Sequence, residues 1–217
     1  MKKLFVGFFA LILIAAAFLG KGFIPVQKDS KAIVAGEKIY RQHCLACHGQ
    51  TGKGEGTKVG TALNNQQFLS TVTNRDLYEY VKSGRNGTDM PAYGTILSEK
   101  DINQLVTFIR SWQTNRIKFA VPKTISGNIE SGEKQYNLYC LNCHGESGAG
   151  KLKMGTALAN SQYLKFTSNK QIWISTAYGR EGTRMGPSLK GLEGVRQLKE
   201  KDITDIVSYI RSLDMEE

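Results

Sequence analysis

The sequence predicts an all-α chain of two tandem domains from an internal duplication, behind an N-terminal transmembrane helix. Three observations predict this: a set of motifs occurs twice, apolar residues recur at helical spacing, and an apolar run follows two N-terminal lysines. With 41% hydrophobic and 22% charged residues, the 217-residue chain is neither disordered nor collagen-like. The formal net charge of +10 would by itself suggest a nucleic-acid partner, so the motifs have to decide the function.

The N-terminus has the features of an export signal. Lysines at positions 2 and 3 precede an uncharged, mostly apolar run of 17 residues over positions 4–20. A basic start before an apolar stretch is typical of a secretory signal, and about 17–25 apolar residues span a membrane. We expect an uncleaved signal-anchor, with the rest of the chain on the periplasmic side. Cleavage near the three alanines at 15–17 is the alternative, and no cysteine follows the run to carry a lipid.

Five motifs occur twice in the same order, at offsets of 95 to 101 residues. The pairs are 36–40 with 132–136, 44–49 with 140–145, 60–63 with 155–158, 84–90 with 179–185, and 99–111 with 200–212. Ordered matches at a nearly constant offset indicate a duplication rather than chance. We therefore expect an anchor and short linker over 1–30, a first domain over 31–118, a linker over 119–128 and a second domain over 129–217.

Each domain is predicted to be helical. Apolar residues near both domain ends fall at i, i+3, i+4 and i+7: Ile102, Leu105, Val106 and Ile109, then Ile203, Ile206, Val207 and Ile210. Ser98 with Asp101 resembles a capping box, whereas the second copy has Lys199 and lacks that cap. Helices are also expected over 33–43 and 130–139. The polar, Gly-rich middle segments predict loops with short helices, and no strand pattern is present.

The cysteines and histidines carry the chemistry. All four cysteines and two of the three histidines lie in two CxxCH pentapeptides, with Cys44, Cys47 and His48 in the first and Cys140, Cys143 and His144 in the second. Two thiols at this spacing can form thioethers to the vinyl groups of one haem, and the adjacent histidine then reaches the iron. A zinc site would need thiolates from both halves to meet, and a redox dithiol would need a βαβ context. A disulfide is open in an oxidising compartment but leaves both histidines unexplained. We therefore expect two covalently attached haem c groups.

The second iron ligand of each haem is predicted by counting the histidines and methionines that remain. Two further histidines would be needed for bis-histidine ligation, and only His43 remains, for which we expect a packing role. Methionine is the remaining soft donor. Met90 and Met185 form the only equivalent pair, 42 and 41 residues after His48 and His144, which lets the chain pass to the opposite haem face.

Prolines support this choice of methionines. Pro91 follows Met90 directly and Pro187 follows Met185 by two residues, so both loops should be stiff. Met154 follows its histidine by only 10 residues and aligns with a valine. The sequence therefore predicts the iron ligands His48 with Met90 and His144 with Met185.

These motifs make the chain similar to the class I cytochromes c, and specifically to their tandem dihaem members, from about residue 31 to 214. The resemblance implies that the first and last helices of each domain cross, with Gly36 and Gly132 allowing close approach to the aromatics Phe108 and Tyr209. The second domain departs from the first in its Met185-Gly186-Pro187 sequence and in about six additional residues before its last helix.

Arg85 and Arg180 occupy the same place in the two copies. An exposed arginine is by default a solvated charge. The sharper interpretation is a pair with a haem propionate, because the planar guanidinium suits a carboxylate.

Histidine–methionine ligation leaves no iron position for a substrate, so the expected activity is one-electron transfer rather than enzymatic catalysis. The resemblance implies a role on the outer face of a membrane in a respiratory or photosynthetic chain, as a subunit of a quinol-oxidising bc-type complex or a carrier next to it. A dihaem subunit of a terminal oxidase and a dihaem peroxidase-like enzyme are the alternatives. Two haems bring up to four propionates and leave about +6 of the +10 charge, which suits an acidic redox acceptor.

Overall fold

The computed structural model describes residues 29–57, 60–85, 89–152 and 154–213. The predicted anchor over residues 1–30 lies almost entirely outside them. Within the described part of the chain, no helix is both long and apolar enough to cross a membrane.

The described residues are helical, as predicted, and the two halves repeat one element order. The first half contains α1 Ser30–His43, α2 Leu45–His48, α3 Gln66–Thr71, α4 Asn74–Ser83 and α5 Glu99–Ser111. The second contains α6 Ile129–Tyr139, α7 Leu141–His144, a 3₁₀ turn Glu146–Gly148, α8 Ser161–Phe166, α9 Asn169–Tyr178 and α10 Glu200–Ser212. In place of strands, the described ranges contain two isolated bridges, Lys151 with Gly155 and Leu189 with Leu198.

Each domain core forms where its first and last long helices cross. A Cβ on Gly36 would overlap the Gln104 carbonyl, and one on Gly132 would overlap the Asp205 carbonyl, so both crossings require glycine. Tyr40 lies 5.4 Å from Phe108 between ring centroids, and Tyr136 lies 5.2 Å from Tyr209. The crossing that the family resemblance implies is therefore present in both domains.

The predicted apolar faces are buried. Ile102, Leu105, Val106 and Ile109 of α5 lie in the first core, and Ile203, Ile206, Val207 and Ile210 of α10 lie in the second. The capping box at α5 is also confirmed, with the Ser98 hydroxyl accepting from the Asp101 NH. At α10 the Lys199 side chain offers no acceptor, and only the Asp202 carboxylate accepts from the Lys199 NH.

The segment between the helical halves is packed along its length. Its first part lies on the first domain, since the Gln66 amide oxygen accepts from the NH groups of Thr114 and Asn115. Farther on, Phe119 packs 4.9 Å from Tyr178, whose hydroxyl donates to the Ala120 carbonyl. The connection therefore holds the two domains against each other.

The two domains share a polar interface. The Gln67 side chain donates to the Gly179 carbonyl at 2.8 Å and accepts from the Glu181 NH at 2.9 Å. Gln162 of the second domain donates to the Ser83 carbonyl at 2.7 Å. These bonds join α3 to the loop after α9, and the end of α4 to α8.

Candidate functional site

Both CxxCH motifs sit at the end of a long helix. In the first, α1 ends at His43, Cys44 to His48 form one further turn, and Gly49 at φ +80° ends it. Gly145 ends the second motif at φ +78°. The Tyr40 hydroxyl donates to the Gly49 carbonyl at 2.6 Å, and the Tyr136 hydroxyl donates to the Gly145 carbonyl at 2.8 Å. The helix crossing and the motif are thus anchored by the same tyrosine.

The two motif histidines are oriented by the repeated Gly-Thr-Ala-Leu segments. His48 Nδ1 lies 2.7 Å from the Thr61 carbonyl, and His144 Nδ1 lies 2.9 Å from the Thr156 carbonyl. A carbonyl only accepts, so Nδ1 carries the proton and Nε2 keeps a free lone pair. Burial lowers the pKa of both imidazoles, although the carbonyl bonds oppose that change. Each ring is therefore neutral and presents one metal-binding nitrogen at physiological pH.

The four cysteines are free, half-buried thiols. Burial raises the pKa of the Cys44 thiol to about 12, with Cys47 adding to it, and burial raises that of Cys140 to about 11. The backbone at Gly60 lies against the Cys47 carbonyl, and the backbone at Gly155 lies against the Cys143 carbonyl. A Cβ on either glycine would overlap that carbonyl. No three His, Cys, Asp or Glu side chains of the described ranges gather into a metal-binding cluster.

The two methionine loops have the same backbone arrangement. The Arg85 NH donates to the Met90 carbonyl at 2.9 Å, and the Arg180 NH donates to the Met185 carbonyl at 2.7 Å. Met90 and Cys44 both pack against the core of the first domain. In the second domain, His144 and Met185 line one cavity of about 40 Å³ together with Thr156, Tyr163 and Arg180. The structure therefore brings the predicted second ligand pair to one cavity.

The remaining histidine and Met154 are engaged elsewhere. The His43 ring lies 5.8 Å from the Tyr93 ring, and its backbone carbonyl accepts from the Tyr93 hydroxyl at 2.8 Å. Met154 is 42% exposed, and its sulfur lies 3.7 Å from the Arg184 guanidinium. The contacts of His43 agree with the packing role expected for it, and Met154 lies at the surface.

Arg85 and Arg180 approach each other at the domain interface. The Arg85 guanidinium lies 5.2 Å from the Tyr80 ring centroid and 5.6 Å from that of Tyr163 in the second domain. Burial lowers the pKa of the Arg180 guanidinium, and Arg85 across the interface lowers it further. Two guanidinium groups beside the same two tyrosines form a place that favours carboxylates.

The sequence alone did not indicate four participants in the sites: the carbonyls of Thr61 and Thr156, Tyr163, and Arg196, which donates to the Tyr139 carbonyl next to Cys140. Both threonines lie in the repeated Gly-Thr-Ala-Leu segments, and the recurrence of these segments was the feature of the sequence that could have indicated their role. Tyr163 acts across the domain interface, and Arg196 lies in the additional residues of the second domain. The repeat aligns Tyr163 with Phe68, which has no hydroxyl, and the first domain has no counterpart of the additional residues that include Arg196.

The donor set fits a covalently attached haem in each domain. Two half-buried thiols lie one helical turn from a histidine whose Nδ1 is fixed and whose Nε2 is free. In haem c the cysteines attach the porphyrin through thioethers, and the imidazole ligates the iron. Cys44, Cys47 and His48 would hold one haem, and Cys140, Cys143 and His144 the other.

Two family models match the chain. Residues 31–109 match "Cytochrome C oxidase, cbb3-type, subunit III", and residues 129–214 match "Cytochrome c". A curated relative from Azospirillum sp. (strain B510), "Cbb3-type cytochrome c oxidase subunit CcoP", is 24% identical, over 91% of this chain and 69% of its own length. The FixP subunit from Azorhizobium caulinodans is 27% identical over 74% of this chain and 55% of the relative.

A solved structure shares the fold. A chain of the "Kuenenia stuttgartiensis reducing HAO-like protein complex Kustc0457/Kustc0458" superposes with a TM-score of 0.53 at 20% identity, covering 82% of this chain and 95% of that one. At this identity the likeness concerns the fold alone.

The fold, the repeated site and the family models together define the class as an electron-transfer protein of the cytochrome c type. The chain belongs to the tandem dihaem class I cytochromes c and carries two covalently attached haem c groups. The comparisons do not support the expected place beside a quinol-oxidising bc-type complex. The relatives are oxidase subunits, which favours the alternative of a terminal oxidase subunit.

Proposed function

We propose that this chain is a membrane-anchored dihaem subunit of a cbb3-type terminal oxidase, which passes single electrons toward the oxidase. The observation that carries the assignment is the match of the first domain to the subunit III model, together with curated relatives that are subunits of such oxidases. The chain spans 55 to 69% of the length of these two relatives. The apolar run over 4–20 supports the anchor and the periplasmic position of both domains.

We further propose His48 with Met90 and His144 with Met185 as the axial ligands. The cavity lined by His144 and Met185 supports the second pair, and the equivalent backbone bonds of the two methionine loops extend it to the first. When bound, the haem iron supplies the one-electron couple, and a methionine ligand raises its potential. The histidines and methionines then leave no iron position for a substrate, which favours electron transfer over a peroxidase.

Arg85 and Arg180 are proposed to bind the haem propionates at the domain interface. Their positions beside Tyr80 and Tyr163 support this, because both guanidinium groups lie where the two domains meet. Arg85 and Arg180 would then hold a propionate of each haem at the domain interface. This arrangement would allow an electron to pass between the domains.

Purification in mild detergent from native membranes tests the oxidase assignment. We expect the catalytic subunit of a haem–copper oxidase to copurify with the chain. Copurification of a quinol-oxidising bc-type complex instead would contradict the assignment. If the chain belonged to a bc-type complex, quinol would reduce the isolated assembly directly. A cytochrome oxidase preparation instead needs a reduced cytochrome or an artificial donor.

Substitution tests the axial ligands. The reduced alkaline-pyridine spectrum should report two c-type haems per chain, and Met90→Ala or Met185→Ala should each remove half of the ferric methionine–iron charge-transfer absorbance. Met154→Ala is the matched control, since Met154 contacts Arg184 at the surface, and should leave the band intact. Full absorbance in either ligand variant would reject that methionine.

A further inference from the structure

The additional residues of the second domain place a cation beside its CxxCH motif. Arg196 donates to the Tyr139 carbonyl at 3.0 Å and to the Gly186 carbonyl at 3.3 Å. Tyr139 immediately precedes Cys140, and Gly186 immediately follows Met185. One guanidinium therefore bridges the residue before the haem-attachment motif and the residue after the proposed methionine ligand.

The first domain satisfies the equivalent carbonyl with a neutral group. The residue before Cys44 is His43, and its carbonyl accepts from the Tyr93 hydroxyl at 2.8 Å. The hydrogen bond is thus present in both domains, but only the second brings a positive charge with it.

The loops after the two CxxCH motifs each carry one glutamate and two lysines, but they place the glutamate at different positions. In the first domain the Glu55 carboxylate folds onto the loop and accepts from the NH groups of Thr51 and Lys53 at 2.5 and 2.7 Å. It lies so close to Gly49 that a Cβ there would overlap it. At offset 96 the second domain has Lys151 instead. At this position the first copy thus has a negative group and the second a positive residue, while the glutamate of the second loop, Glu146, aligns with Gln50.

We propose that these differently placed charges separate the reduction potentials of the two haem sites, with Arg196 raising the potential of the second and Glu55 lowering that of the first. Ferric iron carries one more positive charge than ferrous iron, so a nearby cation disfavours the oxidised form and a nearby anion favours it. An electron shared between the sites then resides preferentially in the second domain. The inference rests on the proposed ligation of one haem in each domain.

Redox titration of the full dihaem chain tests the proposal. The ferrous methionine methyl resonances, assigned with Met90→Ala and Met185→Ala, report the two haems separately by NMR. We expect Arg196→Gln to shift only the second haem to lower potential and Glu55→Gln to shift only the first to higher potential. The Glu55 shift should be the smaller and should shrink further in high salt, because that carboxylate is exposed and screened.

Two control variants separate charge from packing. Arg196→Lys keeps the charge and should retain most of the second potential, whereas Tyr93→Phe removes the equivalent neutral bond and should move the first potential little. Unchanged potentials in both Arg196→Gln and Glu55→Gln would overturn the proposal, as would an Arg196→Lys shift as large as that of Arg196→Gln. The pyridine spectrum and the charge-transfer band of each variant report haem count and ligation independently, so a failure of the proposed ligation would be seen separately.

Discussion

The hydroxyl groups of Tyr40 and Tyr136 connect the helix crossing of each domain to its CxxCH motif. Each ring packs against an aromatic of the last helix, and each hydroxyl donates to the carbonyl of the glycine after the motif. Burial raises the pKa of both phenols, so they remain neutral donors at physiological pH. Repetition of the tyrosine in the sequence indicated a structural role, but not the carbonyl that it serves.

We expect Tyr136→Phe to lower the free energy of unfolding by about 1–2 kcal/mol, because the buried Gly145 carbonyl loses its donor. Tyr40→Phe should cost a similar amount in the first domain. Denaturant titration of the haem-loaded chain measures the change. Tyr139→Phe is the control, since Tyr139 is 41% exposed, and a loss as large as that of Tyr136→Phe would contradict the role of the buried bond.

At the scale of elements, the crossing of α6 and α10 carries a buried carboxylate that the crossing of α1 and α5 lacks. Asp205, 1% exposed, accepts from the Asn128 NH at 2.9 Å, the Ser131 hydroxyl at 2.8 Å and the Lys201 ammonium at 2.5 Å. Gln104 occupies its place in the first domain. Burial alone would raise the pKa of Asp205, but these donors outweigh burial and hold it below its ordinary value. The carboxylate therefore fixes the start of α6 onto α10.

A carboxyl whose pKa is depressed by folding stabilises the native state above its unfolded pKa of about 3.9, and this contribution fades as the pH falls through the folded pKa. We expect Asp205→Asn to lower the free energy of unfolding by about 2 kcal/mol at pH 7. The difference from the unsubstituted chain should narrow below about pH 4. Denaturant titrations across this pH range measure it. A difference independent of pH would show that the ionised form is not the stabilising one.

At the scale of the whole molecule, polar contacts join the two domains. Gln67 makes two hydrogen bonds across the interface, whereas the neighbouring Gln66 makes its bonds to residues 112–115 of its own half. Arg85 contacts a tyrosine ring from each domain. The duplicated sites therefore face a common interface rather than lying apart on a flexible connection.

We expect Gln67→Ala to loosen this interface and to slow electron exchange between the two haems, because both bonds hold the loop next to Arg180 against α3. Flash-reduction kinetics of the full chain measure the exchange rate. Gln66→Ala removes four hydrogen bonds, all within one half, against the two that Gln67→Ala removes across the interface, and it should leave the rate unchanged. Equal slowing in both variants would point to a general loss of stability instead of a specific interface effect.

The sequence by itself determined the duplication, the helical architecture and the two haem c groups, and it predicted a set of iron ligands. These features follow from local spacing. The CxxCH spacing indicates covalent haem attachment, and the periodicity of 99–111 and 200–212 indicates a buried helical face. Counting the few histidines and methionines was enough to propose the rest of each donor set.

Only the tertiary structure decided how the two sites differ and how they face each other. The carbonyls that orient His48 and His144 come from segments 13 and 12 residues farther along, and Arg196 reaches a carbonyl 57 residues earlier. Tyr163 meets Arg85 across a domain boundary. The physical reason is that such contacts depend on the through-space packing of distant segments, and the repeated sequence pattern, which treats the two halves as copies, contains no information about where they touch.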